Sequence, residues 1–129
     1  LLLLMARNRD GYSKPDFYTY YPQVEEAIRR FQQCPEANFT IKEYAKENKL
    51  NYYRFIDSFT RITGMAPRQY IISIRMSKAR ELLDNEAFSI ADVAQLVGYE
   101  NPLYFSRIFK KAVGMPPTEY RSITNHCHK

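Results

Sequence analysis

Apolar residues recur along much of this chain at separations of three and four, the spacing that gathers them on one side of a helix. Val24, Ala27, Ile28 and Phe31 form such a stripe and predict a helix over Tyr21–Gln33, with Pro22 in its first turn and Pro35 as its stop. Ile41, Tyr44 and Ala45 give a shorter helix one buried side, and Phe55, Phe59 and Ile62 do the same for a longer helix from about Asn51 to Thr63. Tyr70, Ile71, Ile74, Ala79, Leu82 and Leu83 support one helix over Pro67–Leu83. At a rise of about 1.5 Å per residue it would span roughly 25 Å. Ile90, Val93, Ala94 and Val97 mark another short helix. Phe105, Ile108, Phe109 and Ala112 mark a longer one from about Asn101 to Val113, and a last short helix is expected from Thr118 to about Ile123. The chain therefore reads as all-α, with about seven helices.

Part of this pattern occurs twice. Phe39, Ile41 and Ala45 recur as Phe88, Ile90 and Ala94. Phe55, Phe59, Gly64, Met65, Pro67 and Tyr70 recur as Phe105, Phe109, Gly114, Met115, Pro117 and Tyr120, displaced by one further residue. Each copy is a short helix, a tight turn and a longer amphipathic helix, the arrangement of a helix-turn-helix unit. Thr40 with Glu43, and Ser89 with Asp92, supply capping patterns for the short helices. Asn51 and Asn101 are good N-caps for the long ones, with Pro102 suited to the first helical position. Gly64 and Gly114 are expected to end the long helices in left-handed conformation. Small alanines at 45 and 94 allow the paired helices to cross closely. The two turns differ: Gly98 accepts a positive φ, whereas its counterpart Lys49 does so poorly. The first turn is then either slightly strained or differently shaped. The division expected is an end of a preceding domain with a linker at 1–20, a first helix-turn-helix unit at 21–70, a linking helix at 67–84 and a second unit at 85–125.

Composition narrows the class. The chain has 129 residues, enough for one domain or two small ones sharing a helix. Charged residues at 26% argue against a membrane protein. Leu1–Met5 is apolar but too short to span a bilayer, and it lacks the marks of a signal peptide. A cytoplasmic protein with unpaired Cys34 and Cys127 is expected. The net charge of +5 is unevenly placed: neutral over 1–38, +3 over 39–70, −2 over 71–100 and +4 over 101–129. Positive charge thus coincides with the two long repeat helices, as a polyanion touched at two places would require. Leu1–Arg9 resembles the end of a helix cut from a longer protein, or else a loose chain end; 10–16 is turn-rich and reads as a linker. Tyr12, Tyr18, Tyr20 and Tyr21 have no role assigned by the pattern.

The stretch from Ser89 to Arg121, SIADVAQLVGYENPLYFSRIFKKAVGMPPTEYR, resembles the DNA-binding domain of the AraC/XylS family of bacterial transcription regulators. Ile74–Leu83 resembles the family's linking helix, and FTIKEYAKENKLNYYRFIDSFTRITGMAPRQY resembles its weaker first-unit pattern. The resemblance covers about Tyr21 to Ser122. It implies seven helices in two helix-turn-helix units joined by one long helix. It also implies sequence-specific binding of double-stranded DNA, usually activation of transcription with RNA polymerase as a partner, and a sensor or dimerisation domain on the N-terminal side that this chain lacks. With its end turns, the linking helix would hold two recognition helices about one DNA turn apart, roughly 34 Å.

The family's base-contacting positions fall on Leu103, Tyr104, Ser106 and Arg107 in the second copy and on Tyr53, Ile56 and Asp57, beside Arg54, in the first. Arg107 is the strongest candidate, because a guanidinium can bond guanine O6 and N7 together. Asp57 departs from the family's frequent pattern: it would repel phosphates, though it can accept from a cytosine amine. The first unit is therefore expected to read DNA weakly. Candidate phosphate contacts are Arg61, Arg68, Arg75, Lys78, Lys110 and Lys111, with the helix starts at Thr40 and Ser89.

Other chemistry is sparse. His126-Cys127-His128 is the one metal-like cluster, and adjacent ligands on a chain terminus cannot close a tetrahedral site alone, so no metal is expected. No nucleophile–base constellation and no glycine-rich phosphate loop is visible, so neither an enzyme nor a cofactor is expected. The competing reading is a helical protein-interaction module whose basic patches meet an acidic partner without DNA.

Overall fold

The computed structural model describes residues 20–37 and 40–127, with the side chains of His126 and Cys127 outside that description. The expectations for Leu1–Arg9, the 10–16 linker, Phe39 and the His126-Cys127-His128 cluster lie outside the described residues or side chains. Seven helices follow one another among the described residues: α1 Tyr21–Gln33, α2 Ile41–Glu47, α3 Tyr52–Thr63, α4 Pro67–Leu83, α5 Ile90–Leu96, α6 Pro102–Val113 and α7 Pro117–Cys127. The bounds of α1 and α4 agree with the apolar stripes. Helix α7 runs past Ile123, where its apolar pattern stops. Its polar last turns are held by hydrogen bonds that periodicity does not reveal: Thr124 Oγ1 to the Tyr120 carbonyl at 2.7 Å, and Asn125 Nδ2 to Glu86 Oε2 at 2.6 Å.

The described residues divide into two compact units, 20–30 with 40–69, and 31–37 with 70–127. The segment 31–37, expected in the first unit, falls with the second, and most of α4 belongs there too. In the first unit Val24, Ala27, Ile41, Tyr44, Ala45, Phe55 and Phe59 are buried. The Tyr44 hydroxyl donates to the Glu26 carboxylate, with the Gln23 carbonyl oxygen a second acceptor 3.2 Å away. Burial, reinforced by the Glu26 hydrogen bond, raises its phenol well above the usual tyrosine range. Tyr20 packs on Phe55 and its hydroxyl accepts from the Asn51 amide at 3.3 Å. In the second unit Met76, Ala79, Leu83, Val93, Ala94, Val97, Phe105 and Phe109 form the core, with Phe88, Ile90, Ile108 and Tyr120 against it.

Both turns have the same shape. Lys49 donates to the Lys46 carbonyl and Leu50 to the Ala45 carbonyl; Gly98 donates to the Gln95 carbonyl and Tyr99 to the Ala94 carbonyl. This paired bonding is the Schellman motif, and the repeated alanine supplies the outer acceptor in each copy. Of the two possibilities for the first turn, the strained one holds: Lys49 sits at φ 56°. Gly98 sits at φ 103°, and a Cβ there would lie 2.9 Å from Arg75 Cζ and 3.0 Å from Glu36 Cα. Gly64 and Gly114 also have positive φ, with open space where a Cβ would go.

These surroundings order the effects of substitution. Gly114→Ala should cost about 1–2 kcal/mol, the left-handed penalty of an L-residue. Gly98→Ala should cost clearly more, because contact with Arg75 and the 36 backbone is added. Lys49→Gly should stabilise by up to about 1 kcal/mol. Equilibrium unfolding of the three variants checks this order; equal losses at 98 and 114 would contradict it.

Candidate nucleic-acid interface

Each long helix is turned by what it buries. In α6, Asn101 Oδ1 accepts from the amides of Leu103 and Tyr104 at 2.9 and 3.3 Å, and Pro102 fills the first turn. Phe105 and Phe109, four residues apart, are fully buried. The helix therefore presents the opposite side outward. Leu103 is 71% exposed, and Arg107, Lys110 and Lys111 are exposed as well. Tyr104 is 40% exposed and meets the Tyr99 ring edge-on at 5.8 Å. Ser106 is half-buried, and Ala112, expected inside, is exposed. Position 112 lies three residues past Phe109, less than one helical turn on, and its side chain is open to solvent.

In α3, Asn51 Oδ1 accepts from the Arg54 amide at 3.1 Å, and Phe55, Ser58 and Phe59 are buried. Ser58 was missed by a search for apolar spacing because it is polar. Tyr53 is 78% exposed and stands edge-on to Tyr52 at 5.2 Å. Arg54 and Asp57 are exposed, and Ile56 is half-buried. Asp57 carries an ion pair to Arg61 at 3.1 Å, one helical turn on. Such an exposed pair adds only about 0.3–0.5 kcal/mol to stability. Its larger effect is to cancel the charge of Arg61 on this face. The outward faces of the two long helices therefore differ: α6 carries Arg107, Lys110 and Lys111, whereas in α3 Asp57 offsets one of the two arginines and Tyr53 stands exposed.

The candidate phosphate contacts separate into two groups. Arg68, Lys78, Lys110 and Lys111 are exposed. Thr40 and Ser89 are engaged as caps. Thr40 Oγ1 accepts from the Glu43 amide, while Ser89 and Asp92 form a full capping box in which each amide bonds the other side chain. The acidic Glu43 and Asp92 in those first turns oppose an approaching phosphate. Arg75 departs further from expectation. It is half-buried, its Nε donates to the Pro35 carbonyl at 2.7 Å, and its Nη2 donates to the Ala37 carbonyl at 3.1 Å. Arg121 does the same with the Leu83 and Asn85 carbonyls. Both guanidiniums tie down the backbone leading toward a short helix. Tyr99, which the sequence reading passed over, lies beside Tyr104 and Phe105; its signal was an aromatic directly after the turn glycine.

Among the described residues no group of three or more His, Cys, Asp or Glu side chains is placed to hold a metal. No helix among them is long and apolar enough to cross a membrane.

Comparison with known proteins agrees with this geometry. A family described as a helix-turn-helix domain matches residues 44–123. The MmsAB operon regulatory protein of Pseudomonas aeruginosa is 35% identical over 85 residues, which is 66% of this chain and 28% of that protein. The C-terminal domain of AraT, a response regulator from Geobacillus stearothermophilus, is 31% identical with a TM-score of 0.73, over 79% of this chain and 85% of that one. The DNA-binding domain of AdpA, a global transcriptional factor solved with a target DNA, is 25% identical with a TM-score of 0.72, over 78% and 90% of the two chains. The chain spans less than half the length of the curated relatives it matches, from 28% to 44%.

Exposure divides residues of the fold from residues of the face. Arg107→Ala and Leu103→Ala should leave stability within about 0.5 kcal/mol of the parent. Phe105→Ala should cost about 3–5 kcal/mol. Denaturant unfolding of the three variants checks this; a large stability loss at 107 would show that its side chain works in packing.

Proposed function

Because this chain belongs to the AraC-type family of helix-turn-helix transcription regulators, we propose that it binds double-stranded DNA with sequence specificity. Each unit sets its longer helix in a major-groove segment. The observation that carries this reading is the outward face of α6, where Leu103, Tyr104 and Arg107 stand on the first two turns and Lys110 and Lys111 follow them. Arg107 is suited to guanine, and Leu103 and the Tyr104 ring are suited to a thymine methyl group. Lys110 and Lys111 are suited to phosphates, with Arg68 and Lys78 as further contacts. In α3, Tyr53 and Arg54 are the reading groups, Ile56 lies at the margin, and Asp57 either accepts from a cytosine amine or keeps Arg61 neutralised. The first unit is then the weaker reader.

The protein acts as a regulator without chemistry of its own, and transcription activation through RNA polymerase is the regulatory outcome this reading assigns. The name of the AdpA structure, a DNA-binding domain with its target, supports the duplex as the partner.

Binding to a preferred duplex should weaken steeply as salt rises and should stay far tighter than binding to random duplex. Arg107→Ala should cost about 1–3 kcal/mol on the preferred site and loosen its sequence preference. Lys110→Ala should weaken all duplexes alike and flatten the salt slope by about one. Fluorescence anisotropy titrations across a salt series test this. Equal losses on preferred and random DNA for Arg107→Ala would remove its reading role. Absent or salt-independent duplex binding would leave the basic faces to an acidic protein partner instead.

A further inference from the structure

We propose that Arg75 is a positioning residue for the reading face of the second unit, acting through Tyr99 on Tyr104 and not on a phosphate. The proposal rests on the reading of α6 as the helix that meets DNA.

The placement of Arg75 leaves its guanidinium little freedom. Two of its donors are spent on the Pro35 and Ala37 carbonyls, at 2.7 and 3.1 Å. Its Cζ lies over the Tyr99 ring, 5.0 Å from the centroid. It also lies directly under the α5–α6 turn, since a Cβ at Gly98 would come within 2.9 Å of it. A planar cation with fixed donors is a rigid platform for a ring; a lysine ammonium is not.

Tyr99 is thereby held on one side by Arg75 and on another by Phe105, whose ring is 5.9 Å away and fully buried. It also meets Tyr104, at 5.8 Å and an interplanar angle of 62°. Tyr104 lies in the first turn of α6 and keeps 40% of its surface open. A large ring in that position would ordinarily sample several rotamers, and ordering one of them on DNA would cost affinity. The contact with a pinned Tyr99 lowers that cost beforehand. Arg75 thus contributes to sequence reading without touching the duplex. For it to reach a phosphate it would have to abandon two carbonyls and the Tyr99 ring.

The two roles predict opposite behaviour for a lysine at this position, because lysine keeps the charge and loses the platform. The experiment measures the full chain and its Arg75→Lys, Tyr99→Leu and Tyr104→Ala variants on the selected duplex. The same proteins are measured on duplexes changed one base pair at a time, across a salt series. The expected result is that Arg75→Lys and Tyr99→Leu lose discrimination at the same base pairs as Tyr104→Ala. The loss should be roughly two- to tenfold, the scale of ring-pair energies, with an unchanged salt slope. Full discrimination in Arg75→Lys would overturn the proposal, as would a loss spread evenly over all duplexes. Should a variant fail to fold, the parent protein supplies the readout through its Arg75 Nε–H resonance in ¹⁵N NMR. A resonance unshifted and slow to exchange when duplex is added supports the proposal; a large shift on binding overturns it. If the parent itself shows no preference among duplexes, the DNA reading fails before any variant is compared.

Discussion

Two phenylalanines in each long helix, one turn apart and fully buried, set the orientation on which everything else depends. Phe55 with Phe59 and Phe105 with Phe109 fix the rotation of α3 and α6 about their own axes. A helix held by two rings on one side has no choice about what it shows on the other. Loss of either ring costs about 3–5 kcal/mol, a large share of the stability of a small domain. The short helices serve the same end. Ala45 and Ala94 are buried, and their carbonyls accept the outer bond of the turn that starts the chain toward its long helix.

On this shared frame the two units diverge where the frame does not constrain them. The turn of the second unit uses Gly98, the residue type its φ requires, whereas the first accepts strain at Lys49. The outward side of α6 is basic and carries an exposed leucine. That of α3 pairs its carboxylate with its own arginine and exposes a tyrosine. Duplication of the scaffold with divergence of the faces suits a protein that contacts two different sequence segments with unequal strength. In the second unit Arg75 lies over the Tyr99 ring, and Tyr99 meets both Phe105 and Tyr104.

Much of this was legible from residue spacing. The stripe of Val24, Ala27 and Phe31 and the proline and glycine stops placed α1 and α4 as found, and the asparagine caps of α3 and α6 were visible because capping is a local interaction. What spacing did not show was polar and long-range. Ser58 is buried without being apolar, and α7 is extended by Thr124 and Asn125 through hydrogen bonds. Segment 31–37 falls with the second unit, where Arg75 grips its carbonyls from some forty residues later in sequence. Arg75 illustrates the general difficulty. In sequence it is one more positive charge in a basic protein, and only its partners distinguish a structural guanidinium from one open to a phosphate.

We propose that the outward face of α6, turned by its buried phenylalanines, selects a DNA sequence. The most direct measurement is selection of bound molecules from a random duplex library by the intact chain, followed by sequencing. The expected outcome is a defined consensus with a stronger and a weaker segment, the stronger one altered when Arg107 is replaced. Recovery of unenriched, random sequence would contradict it.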